Sequence, residues 1–184
     1  MPAKAAPGEH GRDLPDNADR LVDRAVEVLE LAEKRKVSIA TAESCTGGLL
    51  SSLLTDQRGL GKWFDRGFVV YTEQAKQEML GVDPVTIERE GVVSEAVAKE
   101  LARNALERSE AGVAVGITGF AGPGGPGDET GRVHLAVSSR SGRIIHRECH
   151  FGDCGRDKTR ALAAGAALEM LETVLSEDEP AHAG

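Results

Sequence analysis

Strand-like apolar runs that alternate with amphipathic helices, one hairpin near the carboxyl end, and a core almost without aromatic side chains predict the fold class. The chain reads as α/β: a three-layer α/β/α sandwich with a mixed, mostly parallel β-sheet. It has 184 residues, one domain's worth, with 40% hydrophobic but only 3% aromatic residues. Val, Leu, Ile and Ala must therefore fill the interior.

Residues 1–17, rich in Pro, Gly, Ala and charge, read as a disordered N-terminal tail; 18–176 form a single domain and 177–184 a frayed acidic tail. Leu21, Ala25, Val28, Leu29 and Ala32 fall on one helical face. A strand over Val37–Thr41 follows, then a helix from about Thr46 to Thr55 and a loop over Asp56–Lys62. Gly67–Tyr71 is a short apolar strand, and a helix from about Thr72 to Leu80 stops at Gly81. A connector through Pro84 reaches Ser94, an N-cap for a helix that turns Val97, Leu101 and Ala105 inward. Val113–Thr118 is a buried strand, and Ala121–Thr130 a Gly/Pro loop. Arg132–Ser138 and Arg143–Phe151 form a hairpin across Arg140-Ser141-Gly142. The last helix, about Arg156 to Leu175, lines up Ala161, Ala164, Leu168, Leu171 and Leu175.

A net charge of −8 excludes a broad nucleic-acid surface, and an anionic substrate would need a local positive pocket. Three cysteines make no complete disulfide framework, which points to a reducing cytoplasm. No apolar run approaches the roughly 18 residues of a membrane helix, and the N-terminus lacks a signal-peptide core.

Thr41 to Gly48 read Thr-Ala-Glu-Ser-Cys-Thr-Gly-Gly, where a buried strand turns into a helix. Ser44 and Cys45 are two possible nucleophiles there, and Gly47 and Gly48 let a ligand approach the backbone. The first N–H groups of a helix lack intrahelical partners and can hold an oxyanion or a phosphate. A nucleophile beside free N–H donors is what acyl transfer needs. A Ser/Thr cap with a glycine-rich first turn fits the same segment without chemistry.

Tyr71, the chain's one tyrosine, ends a strand, and Lys76 lies in the first turns of the next helix. Ligands of α/β sheets bind beyond the carboxyl ends of strands, and a desolvated lysine there could serve a serine as base. Taken alone, the two fit an exposed helix lysine and a half-buried structural tyrosine better. Gly122 to Gly127 match G-x-G-x-x-G, but a strand follows where a dinucleotide site needs a helix, so that reading is rejected. The loop can still approach a ligand through its backbone, with Thr118 as a hydroxyl donor, or be a plain surface turn. His146, Cys149, His150 and Cys154 suggest zinc, yet strand alternation turns Cys149 away from the histidines, so no metal site is expected. Arg156 and Arg160 share a face at the start of the last helix. They read as an anion-binding pair or as solvated charge.

Together, Ala42–Gly48, Val70–Lys76 and Gly116–Gly125 resemble the CinA C-terminal family, in its order and spacing, over about Leu21 to Leu175. The resemblance implies an amidohydrolase of pyridine nucleotide salvage. It would convert nicotinamide mononucleotide to nicotinate mononucleotide and ammonia, without a cofactor, as a homodimer or higher homo-oligomer. Ser44 would attack the amide carbon, with Lys76 as general base and Tyr71 assisting proton transfer to ammonia. Glu43, Cys45, Thr46, Gly47, Gly48, Thr118, Gly119 and Gly122 would contact substrate, the Gly47–Gly48 region holding the oxyanion. Arg156 and Arg160 are the candidates for the phosphate. The additional N-terminal domain of larger CinA proteins is not expected in a chain of this length. There are departures: Thr72-Glu73 stand where the family often has Ser-Asn, adding a negative charge near the lysine. The segment after Gly125 is short, and Cys154-Gly155 looks inserted. Two other functions remain open: a regulatory ligand-binding protein linked to competence or DNA damage, and an amidase for another pyridine nucleotide. The Ser44–Tyr71–Lys76 set favours an enzyme, since a binder needs no base.

Overall fold

A computed structural model describes residues 15–177. In chain order its elements are α1 (Pro15–Arg35), β1 (Ile39–Glu43), α2 (Leu49–Thr55), β2 (Phe64–Val69), α3 (Glu73–Leu80), α4 (Pro84–Glu90), α5 (Glu95–Glu107), β3 (Val113–Gly119), β4 (Arg132–Ser139), β5 (Ile144–His150) and α6 (Arg156–Glu177). The strands form a single mixed sheet in the order β2-β1-β3-β4-β5. β1 runs parallel to both β2 and β3, and the β4–β5 hairpin continues the sheet antiparallel. Glu43 pairs with Val69 on one side and Ile117 on the other, so three parallel strands end level.

One face of the sheet is aliphatic. Ile39, Val113, Val115, Ile117, Val133, Leu135 and Val137 pack against α1, α2 and α6. The opposite face is made of small residues, with Ala40, Ala42, Ala114 and Ala136 beneath α5 and its neighbours α3 and α4. Gly116 completes that small-residue face. A Cβ there would lie 2.5 Å from the Ala98 carbonyl oxygen and 2.6 Å from the Ala102 nitrogen, so the backbone of α5 rests directly on the sheet. Among the described residues no helix is long and apolar enough to cross a membrane.

Several boundaries differ from the expected ones, each for a local reason. α1 begins at Pro15, inside the expected tail, because proline suits the first position of a helix. The remainder of that tail, and the acidic tail from 178 on, lie outside the described residues. Lys36 takes a left-handed φ of 57°, which ends α1 and delays β1 from Val37 to Ile39. Gly47 and Gly48 have φ of 60° and 90°, so α2 starts at Leu49 rather than Thr46. β2 spans 64–69 instead of 67–71, where it meets its parallel partner β1. The connector through Pro84 holds α4, capped by Asp83 onto the Val85 N–H. A single 3-10 turn at Gly61–Trp63 interrupts the loop before β2.

Gly116→Ala should destabilise the fold by about 1–3 kcal/mol or more, because the two nearest atoms in its way are backbone atoms that cannot swing aside. The check is the urea midpoint at constant m-value. An unchanged midpoint would mean that α5 has room to rise.

Candidate active site

The level ends of β2, β1 and β3 meet at one edge of the sheet, and the alternation of side chains sorts what they present. Glu43 faces α2, whereas Ser44, one residue on, faces α3. The Ser44 N–H extends the pairing with a bond to the Ile117 carbonyl, 3.1 Å, so this candidate nucleophile sits on fixed backbone. Lys76 reaches it from α3, whose helix starts at the Thr72 cap. Its side chain is only 1% exposed. Nζ lies 3.0 Å from Ser44 Oγ, 3.0 Å from the Val70 carbonyl and 3.3 Å from the Tyr71 carbonyl.

Burial holds the Lys76 amine below the usual lysine range, while Cys45 and Glu73 nearby act in the opposite direction. A neutral amine has two N–H bonds and one lone pair. Nζ is within donor reach of all three oxygens; in the neutral form, with its N–H bonds directed to the Val70 and Tyr71 carbonyls, its lone pair would face the Ser44 hydroxyl. Cys45, the other candidate nucleophile, packs into the aliphatic core between the sheet and α1, α2 and α6. Burial pushes its thiol up to about 12, so it stays protonated at neutral pH.

The turn between Ser44 and α2 is held from two sides. The Glu43 carboxylate is fully buried and accepts the N–H groups of Gly48 and Leu50 at 3.1 Å and that of Ser51 at 2.8 Å. The Ser51 hydroxyl adds a bond of 2.6 Å. The helix start expected to receive an anion is therefore filled by the protein's own carboxylate. Gly47 N–H is engaged as well, by the Ser44 carbonyl. Arg160 donates twice to the Thr46 carbonyl, from Nε at 3.0 Å and Nη2 at 2.8 Å, which ties the turn to α6. Among the described residues, the N–H groups of Cys45 and Thr46 meet no backbone carbonyl.

A cavity of about 320 Å³ opens over Ser44 and Lys76. Cys45, Tyr71, Thr118, Gly119, Gly122 and Arg156 line it too, whereas Glu43, Thr46, Gly47, Gly48 and Arg160 do not. Thr118 Oγ1 donates to the Val92 carbonyl at 2.9 Å. Arg156 stands against Gly122, where a Cβ would lie 3.0 Å from Nη2. Tyr71 is 62% exposed, and its carbonyl accepts from Lys76. Sequence reasoning missed Val92 and Val93, which form a wall. Their one signal was their place just ahead of the Ser94 cap. It also noted Glu73 only as a charge near the lysine, although Glu73 lines the same cavity.

The residues weighed for zinc disperse. Cys149 packs toward the aliphatic core, His146 stacks on His134 with centroids 5.3 Å apart, and His150 bonds Glu129 at 2.8 Å. A larger groove of about 440 Å³ runs between α1, β5 and α6. Two of its arginines, Arg24 and Arg147, are paired with Glu169, and burial raises the thiol of Cys149, which lines it.

Residues 22–175 match the family described as CinA C-terminal domain. The chain is 41% identical over 154 residues to the nicotinamide-nucleotide amidohydrolase PncC of Escherichia coli, covering 82% of this chain and 92% of that protein. It is 53% identical over 159 residues to a CinA-like protein of Chlorobaculum tepidum, covering 83% of this chain but only 37% of that longer relative. Among solved structures, the competence/damage inducible protein CihA of Agrobacterium tumefaciens superposes with a TM-score of 0.82 at 42% identity, over 85% of this chain and 96% of that one.

Glu43→Ala would leave the first N–H groups of α2 without their acceptor. The expected loss is about 2–4 kcal/mol, read from chemical denaturation. A change below about 0.5 kcal/mol, within the range of an ordinary surface substitution, would show that water replaces the carboxylate without cost.

Proposed function

The chain belongs to the CinA C-terminal domain family, and we propose that it is a nicotinamide-nucleotide amidohydrolase that deamidates nicotinamide mononucleotide through a serine nucleophile. The observation that carries this reading is the buried Lys76 Nζ, 3.0 Å from Ser44 Oγ, with two carbonyls taking its N–H bonds. A pocket built only to bind would gain nothing from an amine kept from water beside a hydroxyl.

Neutral Lys76 takes the Ser44 proton as Oγ attacks the amide carbon. The carbonyl oxygen becomes an oxyanion, and the N–H group of Cys45, which lines the cavity and has no carbonyl partner, is its donor. When the C–N bond breaks, the proton on Lys76 passes to the departing nitrogen, with the Tyr71 hydroxyl assisting, and ammonia leaves. Water then attacks the ester on Ser44. Lys76 accepts its proton and returns it to Ser44, releasing the carboxylate product. Arg156 is the phosphate anchor of this reading, since it lines the cavity, whereas Arg160 is committed to the Thr46 carbonyl. Thr118 supplies wall and an acceptor oxygen rather than a free donor.

Ser44→Ala should abolish ammonia release from nicotinamide mononucleotide while the fold persists. Retained turnover in that variant, lost instead in Cys45→Ala, would move the nucleophile. Lys76→Arg should be nearly as inactive, because a guanidinium stays protonated. The reaction needs Lys76 neutral, so kcat should rise with pH as the amine loses its proton. Burial lowers its pKa, which places that rise below the ordinary lysine value of about 10.4. An active Lys76→Arg enzyme with an unchanged profile would exclude Lys76 as the base. Because Ser44 and Lys76 supply both nucleophile and base, dialysis against a chelator should leave the rate unaltered.

A further inference from the structure

Three charged side chains line the cavity: Glu73, Lys76 and Arg156. With Lys76 neutral in the working form, one negative and one positive charge remain, and the topology separates them. Glu73 follows β2, Ser44 follows β1, and Arg156 stands against Gly122 in the loop after β3. In the sheet, β1 lies between the other two strands, so the nucleophile sits between the charges. Neither charge forms an ion pair with a described residue.

Resting on the amidohydrolase reading, we infer that Glu73 forms a subsite for a cationic ring, so that the cavity takes a zwitterionic nucleotide with its positive ring nitrogen toward Glu73 and its phosphate toward Arg156. Spacing supports this. Glu73 and Lys76 are three residues apart on α3, which puts them on one face with Cβ atoms roughly 5–6 Å apart. Lys76 marks the reacting amide through its contact with Ser44, and Glu73 lines the same cavity from the same helix. In a pyridine-3-carboxamide nucleotide the charged ring nitrogen belongs to the ring that bears the amide, so a carboxylate on that wall is placed to meet it. The phosphate, on the far side of the ribose, falls toward the opposite wall. A cavity lined by Arg156 and Lys76 alone would favour any anion. Glu73 makes it select for an anion that also carries a cation near the scissile bond.

Glu73 also raises the Lys76 pKa, so its removal changes the base for every substrate alike. The test must cancel that common effect. Binding by calorimetry and ammonia release are measured for wild type, Glu73→Gln and Glu73→Lys. The two ligands are nicotinamide mononucleotide and its reduced dihydropyridine form, which keeps the phosphate and amide but has a neutral ring. Glu73→Gln should weaken binding of the cationic ring by about two- to fivefold relative to the neutral one, as expected for one partly exposed charge pair. Glu73→Lys should widen that gap further, through KM rather than kcat. Equal changes for both ligands would overturn the subsite while leaving the amidohydrolase reading intact. Glu73-dependent binding of the cationic form without ammonia release from wild type would keep the subsite and sink the amidohydrolase reading instead.

Discussion

A carboxylate taken wholly out of water must find replacements for its hydration, and Glu43 finds them at the start of α2, in three backbone N–H groups and the Ser51 hydroxyl. The helix gains a negative charge at its positive end, and the carboxylate gains donors. The geometric effect is larger than either. Glu43 is the last residue of β1, so strand and helix are joined across the turn by its own side chain, and the turn cannot drift relative to the sheet. Arg160 holds the Thr46 carbonyl from the other side. Ser44 is thus placed by the contacts of its neighbours as well as by its own bond to the Ile117 carbonyl.

Strand alternation divides the labour between neighbouring residues. Glu43 goes to the aliphatic side and builds the scaffold, while Ser44 goes to the small-residue side and meets Lys76. That second side has room because its strands carry Ala and Gly rather than branched residues, which lets a full lysine side chain lie under α3 at 1% exposure. Burial disfavours an ammonium in that place, so the Lys76 amine is held below the usual lysine range within reach of the Ser44 hydroxyl.

The fold was legible because its signals were periodic. Alternation of strands and helices, the hairpin at Arg140-Ser141-Gly142 and the Gly81 stop all leave residue patterns that survive without a structure. α4 was not, since beyond Pro84 it carries only two apolar side chains, Val85 and Ile87, too few to show a period, although the Asp83-Pro84 start carries a capping signature. In the site, the motifs located Ser44, Lys76, Thr118 and Arg156 around one cavity, but spacing could not tell a side chain that faces ligand from one that faces its own backbone. Glu43 and Arg160 were read as substrate contacts for that reason. Which direction a side chain takes depends on the parity of a strand and on partners distant in sequence, such as Arg160 and Thr46, 114 residues apart. Val92 and Val93 were silent because a wall made of two valines has no chemical signature.

Those two valines connect the site to the bare patch of sheet at Gly116. They lead into α5, and the Val92 carbonyl is pinned by Thr118. α5 in turn lies on the sheet with no side chain between them at Gly116. The cavity wall is therefore gauged from the sheet with the tolerance of a single hydrogen atom. Shimming the helix from below, with a methyl group, would shift the wall by a fraction of an ångström and resize the opening above Ser44. The range of molecules this cavity admits can thus be tuned at a position that none of them ever touches.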